Sequence, residues 1–144
     1  MSPVLKAHFA DYAAFHGTAG NKACHFVGIP LIVLTLLTFL SRVPLAAVAG
    51  FTVTLAEVVL VAVTLYYLTL DAALAGLMLA ASALFDAAGR ELAVGFALDL
   101  FVLGWILQFV GHYVYEKKSP AFFRNLTHLL VGPLWILAKA TGRA

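Results

Sequence analysis

Residues 92–115, LAVGFALDLFVLGWILQFVGHYVY, decide the fold, because their 24 positions carry one formal charge, at Asp99. As a helix this stretch would be about 36 Å long at 1.5 Å per residue. The hydrocarbon core of a bilayer is about 30 Å thick, so the stretch is long enough to cross it. A continuous apolar run of this length is typical of a membrane-spanning helix. We therefore expect residues 92–115 to span a membrane.

The composition of the whole chain agrees with this expectation. Of its 144 residues, 63% are hydrophobic and 11% are charged, whereas about 25% are charged in soluble domains. A soluble fold of this size could not bury so much apolar surface. We predict one integral-membrane domain, residues 1–144, with the lipid bilayer as part of its solvent. The net charge of +2 is too small to predict a nucleic-acid partner, and the single cysteine, Cys24, excludes an intrachain disulfide.

Three further apolar stretches precede residues 92–115, at 21–40, 45–70 and 72–85. The second is longer than a span requires, so part of 45–52 is expected to form a turn or an interfacial segment. The fold predicted is an all-α, polytopic membrane bundle of about four transmembrane helices.

Amphipathic helices are predicted at both ends of this bundle. The first is predicted over residues 3–16, where Ser2 can cap the helix and Pro3 suits its first position. Ser119-Pro120 is interpreted as the cap and first turn of a tail helix, residues 120–139. The Gly132-Pro133 interruption favours an interfacial or re-entrant helix over a fifth span.

The basic residues predict the orientation of the bundle. With four spans, seven of the nine fall on the side of the termini and two on the other. The seven are Lys6, Lys22, Lys117, Lys118, Arg124, Lys139 and Arg143, and the two are Arg42 and Arg90. We therefore expect both termini in the cytoplasm. The alanine-rich composition favours a bacterial inner membrane, or the endoplasmic reticulum if the source is eukaryotic.

Four of the five histidines fall at the cytoplasmic face of this arrangement: His16, His25, His112 and His128. The arrangement was built from lysine and arginine alone, so it provides independent support for a common site. Neutral imidazole is a good ligand for iron, zinc or copper. The fifth, His8, is interpreted as an interfacial residue of the first helix.

The neighbours of these histidines are polar groups at helical spacing. Asn21 lies four residues before His25, and Gln108 and Glu116 lie four residues on either side of His112. A polar stripe within a membrane is expected to face the bundle interior. Amide and carboxylate groups commonly hold the second nitrogen of a metal-bound histidine, so these three residues are candidates for orienting the ligands.

Other polar residues fit ordinary structural roles. Glu57 and Asp99 lie within predicted spans but towards the opposite face, and we interpret them as hydrogen-bonded or protonated structural groups. No HExxH sequence or Cys/His knuckle is present, so spacing alone leaves both a metal site and simple polar packing open.

Two stretches together resemble the family of membrane 2-hydroxy fatty acid dioxygenases, known from a fungal enzyme of phytosphingosine breakdown and from bacterial relatives. The first is Tyr12-x-x-Phe15-His16-x-x-x-x-Asn21-Lys22-x-x-His25-x-x-Gly28-Ile29-Pro30. The second is Trp105-x-x-Gln108-Phe109-x-Gly111-His112-x-x-x-Glu116-Lys117-x-x-Pro120-Ala121. They lie near the two ends of the chain, in the order that the family has.

The resemblance implies an iron(II)-dependent α-oxidation. A 2-hydroxy fatty acid and O₂ would give a fatty acid one carbon shorter, with the hydroxyl and carboxylate of the substrate chelated to a histidine-bound metal. His16, His25 and His112 are implied as iron ligands. Glu116 would be catalytic, either as a ligand itself or as a group that orients one, and His128 is a candidate fourth ligand. Lys22, Lys117 and Lys118 are candidates for attracting the substrate carboxylate.

Two other classes of function remain open. One is a non-enzymatic membrane protein in which the histidines form a structural metal site. The other is a different lipid-active metalloenzyme, such as a zinc hydrolase or a hydroxylase. The sequence leaves the oligomeric state open as well.

Overall fold

The structure is a computed structural model that describes residues 1–144. It consists of six α-helices and one β-hairpin. In chain order the elements are α1 (Pro3–Ala14), α2 (Ala19–Leu40), β1 (Pro44–Val48), β2 (Phe51–Thr54), α3 (Leu55–Leu70), α4 (Ala72–Glu91), α5 (Val94–Phe109) and α6 (Thr127–Ala140). A π-helical segment, Val110–Glu116, continues α5, and a short 3₁₀ turn, Ala121–Phe123, precedes α6. The all-α prediction is confirmed apart from the hairpin.

Three helices are long and apolar enough to cross a membrane: Ala19–Leu40, Ala72–Glu91, and Val94–Glu116 with its π-helical end. The predicted span of residues 45–70 is different, because residues 44–54 form the hairpin and α3 has 16 residues. Such a helix is about 24 Å long, short of the ~20 residues that a full span needs. The arrangement of four spans, and the location of both termini in the cytoplasm, stay predictions.

The residues fall into two compact units: residues 1–31 with 102–144, and residues 32–101. In the first unit α1 packs on α6. Leu5, Phe9 and Tyr12 form the buried side of α1, and the Tyr12 ring lies 5.2 Å from that of Trp135. Ser2 caps α1 as predicted, since its hydroxyl accepts a hydrogen bond from the Leu5 amide at 3.1 Å.

The start of α6 differs from the prediction. Pro120 precedes the 3₁₀ turn, and the α-helix begins only at Thr127. Ser119 and Pro120 therefore do not cap a tail helix. A short 3₁₀ turn follows Pro120 in place of the first turn of an α-helix. Pro133 lies inside α6 and does not interrupt the helix.

In the second unit α3 and α4 are joined by Asp71 alone and pack against each other. Helix α4 continues past the predicted end at residue 85 because its charged residues are paired. Arg90 forms ion pairs with Asp86, one helical turn earlier, at 3.0 Å, and with Glu57 of α3. Pairing of this kind allows charged residues to continue an apolar helix.

Candidate metal centre

His16 lies in the turn that follows α1, and two contacts with Tyr12 fix its ring. The imidazole Nδ1–H donates to the Tyr12 carbonyl oxygen at 2.6 Å, because a carbonyl can only accept. The Tyr12 ring also stacks on the imidazole, with centroids 3.9 Å apart and planes 9° from parallel. This fixes the tautomer and leaves a lone pair on Nε2, which is buried without a hydrogen-bond partner.

His25 lies on the second turn of α2 and has the same tautomer for the same reason. Its Nδ1–H donates to the backbone carbonyl of Asn21 at 2.9 Å, and the side chain is buried. The Nε2 atom therefore also has a lone pair. A hydrogen bond from Nδ1 to a carbonyl is the arrangement that usually orients a metal-binding imidazole.

His112 lies in the π-helical segment at the end of α5 and is buried, with no hydrogen-bond partner for Nδ1. Short π-helical segments within α-helices often occur at functional sites. Glu116 ends the same π-helical segment, four residues after His112, and the shared face of the two side chains stays a prediction.

Gly111 allows this end of α5 to approach α2. A Cβ atom added at Gly111 would lie 2.5 Å from Asn21 Oδ1 and 3.2 Å from His25 Nδ1. A larger residue would displace the Asn21 side chain or separate the two helices. The glycine beside His112 therefore brings it close to His25.

His16, His25 and His112 form what we call the histidine cluster. Their candidate ligand nitrogens all lie within 4.8 Å of one another. The ring centroids are 4.4, 4.9 and 4.8 Å apart, and every pair meets edge to face. Nitrogens bound to one first-row ion at ~2.1 Å can lie at most about 4.2 Å apart. Only a trans pair reaches that limit, and nitrogens at about a right angle lie about 3.0 Å apart, so the three rings would move closer together to share an ion.

The electrostatics of the cluster favour neutral imidazoles. Burial lowers the pKa of His16 to about 4, so its ring is uncharged at neutral pH. A neutral imidazole is the form that binds a metal ion. Buried polar nitrogens without partners are rare in folded proteins, and His16 and His112 each have one. The donor set and its unpaired atoms fit a metal ion.

Glu116 lies outside the histidine cluster and organises the turn beside it. Its carboxylate accepts hydrogen bonds from the Gly17 amide, the Thr18 amide and the Thr18 hydroxyl, each at 3.0 Å. It also accepts one from Asn21 Nδ2 at 3.1 Å, and the same amide group donates to the Phe15 carbonyl at 2.9 Å. Glu116 and Asn21 thus hold the backbone on both sides of His16.

Gln108 lies on α5, one turn before His112, as the predicted polar stripe requires. It is buried, and its Nε2 has no hydrogen-bond partner. A Cβ atom added at Gly28 of α2 would collide with this amide and would lie 2.9 Å from the Gly104 carbonyl oxygen. Close packing of α2 on α5 therefore encloses Gln108 beside the centre.

His128 is not brought into the histidine cluster. Its ring is buried on α6, and Nε2 lies 2.7 Å from a carboxylate oxygen of Asp11 on α1. Sequence reasoning missed Asp11, and no short-range pattern could reveal the pair, because 117 positions separate the two residues. Lys22 is half-buried near the start of α2, and Lys117 is exposed with a left-handed backbone, φ 56°.

Glu57 has a structural role, as predicted, whereas the role predicted for Asp99 stays a prediction. Glu57 accepts hydrogen bonds from the amide and the hydroxyl of Thr54, each at 2.7 Å, and forms a capping box at the start of α3. The T-x-x-E spacing of residues 54–57 could have identified this cap. Asp99 is exposed on α5.

The chain is similar to known proteins over nearly its whole length. A family model described as "2-hydroxy-palmitic acid dioxygenase Mpo1-like" matches residues 3–144. The 2-hydroxy-palmitic acid dioxygenase MPO1 of Saccharomyces cerevisiae is 34% identical over 136 residues, which cover 92% of this chain and 77% of the yeast protein. No solved structure matches. The family match includes every residue of the candidate centre.

Proposed function

Because the chain belongs to the Mpo1-like family of 2-hydroxy-palmitic acid dioxygenases, we propose that it is an iron(II)-dependent membrane dioxygenase. Its substrates would be 2-hydroxy fatty acids, which it would convert into fatty acids one carbon shorter. The observation that carries the proposal is the histidine cluster: three buried imidazoles, from both ends of the chain, with ligand nitrogens within 4.8 Å of one another.

The proposed reaction balances without a further cosubstrate. A 2-hydroxy acid and O₂ would give the shortened acid, CO₂ and water, so that the substrate supplies all four electrons that reduce O₂. No 2-oxoglutarate is required. Iron(II), when bound, would supply the one-electron chemistry that allows O₂ to react with an organic substrate. His16, His25 and His112 are the residues that would hold it.

The surrounding residues would orient these ligands. The carbonyl oxygens of Tyr12 and Asn21 hold the Nδ1 protons of His16 and His25, so the Nε2 lone pairs are available. Glu116 would act through the turn that contains His16, since its carboxylate already accepts four hydrogen bonds. Burial of the three imidazoles would limit the access of water to the reacting groups.

Location in a membrane would suit this substrate. Three helices are long and apolar enough to cross a bilayer, so the acyl chain could stay among apolar side chains and lipid while the polar head reaches the histidines. The excess of basic residues on the side of the termini supports a centre at the cytoplasmic face, in a bacterial inner membrane or in the endoplasmic reticulum.

The test is to supply the purified protein, in lipid nanodiscs, with iron(II), O₂ and 2-hydroxypalmitate. We expect pentadecanoic acid, detected by mass spectrometry, and about one iron per chain after anaerobic purification. The matched control is His8→Ala, which removes a histidine of α1 outside the cluster and should leave turnover unchanged. Wild-type turnover by both His16→Ala and His112→Ala would refute the site.

The metal content distinguishes the alternatives. Zinc in place of iron, with no shortened acid, would favour a zinc hydrolase. A tightly bound metal without any turnover of lipids would favour a structural site. A protein that folds and binds no metal would exclude both metalloenzymes.

A further inference from the structure

A cleft of about 350 Å³ opens at the end of α1, in the unit formed by residues 1–31 and 102–144. It is lined by Ala14, Phe15, Lys118, Ser119 and Arg124. Its volume lies at the lower end of the range of small-ligand sites, which is about 300–1,000 Å³. The cleft can therefore hold a polar head group and a few methylene groups.

The charge of the cleft is entirely positive. Lys118 and Arg124 lie on its walls, and no acidic residue lines it. The Lys118 ammonium donates to the carbonyl oxygen of Ala14 at 3.3 Å, on another wall of the cleft. Neither cation forms an ion pair, in contrast to Arg90, which pairs with two carboxylates. Two unpaired cations in one cleft favour an anionic ligand.

The cleft shares a wall with the surroundings of the histidine cluster. Phe15 lines it, and the next residue is His16. The edge of the Phe15 ring meets the ring of His128 at a centroid distance of 6.0 Å. A ligand held here would thus lie against the turn that Glu116 and Asn21 fix beside the centre.

We propose that this cleft binds the carboxylate of the 2-hydroxy fatty acid through Lys118 and Arg124, a role that rests on the proposed function. A guanidinium matches a carboxylate in two parallel hydrogen bonds, and an ammonium adds a point charge. The Ser119 hydroxyl can hydrogen-bond to the 2-hydroxyl group, and the Phe15 ring covers the first methylenes. The cleft captures the acid at the membrane face before its head reaches the histidines. Lys22 and Lys117, which the sequence also offered for this role, do not line it.

The experiment measures the KM for 2-hydroxypalmitate in nanodiscs of pure phosphatidylcholine. Exposed ion pairs have modest strength, so Lys118→Gln and Arg124→Gln should each raise KM about three- to fivefold, and the double variant about tenfold. The kcat should stay within about twofold of wild type. Lys118→Arg keeps the charge and should keep the KM. Lys6→Gln is the matched control, because it removes one exposed positive charge of α1 outside the cleft.

Three outcomes would overturn the proposal. The first is an unchanged KM in the double variant. The second is an equal rise in KM in Lys22→Gln or Lys117→Gln, which would assign the effect to the positive charge of the whole face. The third is an effect seen only after phosphatidylglycerol is added, which would assign the cleft to a lipid phosphate.

A binding measurement separates this proposal from the proposed function. Radiolabelled 2-hydroxypalmitate should bind the wild type more tightly than the double variant, and uncharged 1,2-hexadecanediol should compete equally poorly in both. Charge-dependent binding without turnover would support the cleft and refute the dioxygenase. Turnover with the same affinity in both proteins would support the dioxygenase and refute the cleft.

Discussion

Glu116→Gln is the substitution that best separates a positioning role from metal ligation. The carboxylate accepts four hydrogen bonds, two from the backbone amides of Gly17 and Thr18, one from the Thr18 hydroxyl and one from the Asn21 amide. Glutamine keeps the size of the side chain but has a single acceptor oxygen. Its NH₂ group would face an N–H donor, and one backbone amide would lose its partner.

The magnitude follows from these four contacts. Hydrogen bonds to a charged group contribute about 1.5–3 kcal/mol each, and neutral ones about 0.5–1.5. Glutamine would lose one of these hydrogen bonds and would weaken the others, because it carries no charge. The stabilisation of the turn would fall by a few kcal/mol, which partial exposure to solvent reduces to about 2–3 kcal/mol. Because this energy orders the turn that contains His16, the affinity for iron should fall about 10- to 100-fold.

The assay is an anaerobic titration with iron(II) against a competing chelator, followed by turnover at each iron concentration. We expect Glu116→Gln to need more iron for half-maximal activity and to reach a kcat near that of the wild type at saturation. The control is Glu91→Gln, which replaces an exposed glutamate at the end of α4 and should change neither quantity. An unchanged iron affinity would refute the positioning role. Activity that no iron concentration restores would instead make Glu116 a ligand.

Three further predictions concern the centre and the packing around it. Alanine in place of any one of the clustered histidines should lower the iron affinity by more than about 100-fold, measured by the same titration, while His8→Ala should keep it. Gly111→Ala should lower both the melting temperature and the iron content, because its Cβ would lie 2.5 Å from a side-chain oxygen of α2; Gly76→Ala, which has no atom within 4 Å, should change neither. Arg90→Leu should lower the free energy of unfolding by about 2–4 kcal/mol in a denaturant titration, since it leaves the buried Asp86 carboxylate unpaired. A decrease below about 0.5 kcal/mol would show that the ion pairs are dispensable.

Much of the helical architecture could be predicted from hydropathy and local signals, and the hairpin could not. Three of the four apolar runs and the Ser2 cap are local features that agree with the structure. The first strand, PLAAV, is apolar at all five positions, so it lacks the alternation that identifies a strand, and the second, FTVT, alternates over only four residues. Its turn uses Ala49 and Gly50, with φ of 50° and 81°, in place of the Asn-Gly or Asp-Gly pairs that usually signal such a turn.

The candidate centre was predictable as a set of histidines, but the contacts that hold it were not. The distribution of lysine and arginine places four histidines, His128 among them, at one membrane face, and the family resemblance implies His16, His25 and His112 as ligands. The hydrogen bonds of Glu116 join positions 95, 98 and 99 residues apart, and the pair of Asp11 and His128 joins positions 117 apart. Such contacts depend on tertiary packing. The π-helical geometry around His112 also has no signature in residue type.

The central claim is that one iron ion binds the imidazoles of His16, His25 and His112. X-ray absorption at the iron edge, on protein loaded anaerobically with one equivalent of iron(II), measures the imidazole ligands directly. We expect scattering from three imidazoles with coordinated nitrogens at about 2.1 Å, and from two imidazoles in His112→Ala. An iron spectrum without imidazole scattering, or one unchanged by His112→Ala, would contradict the claim.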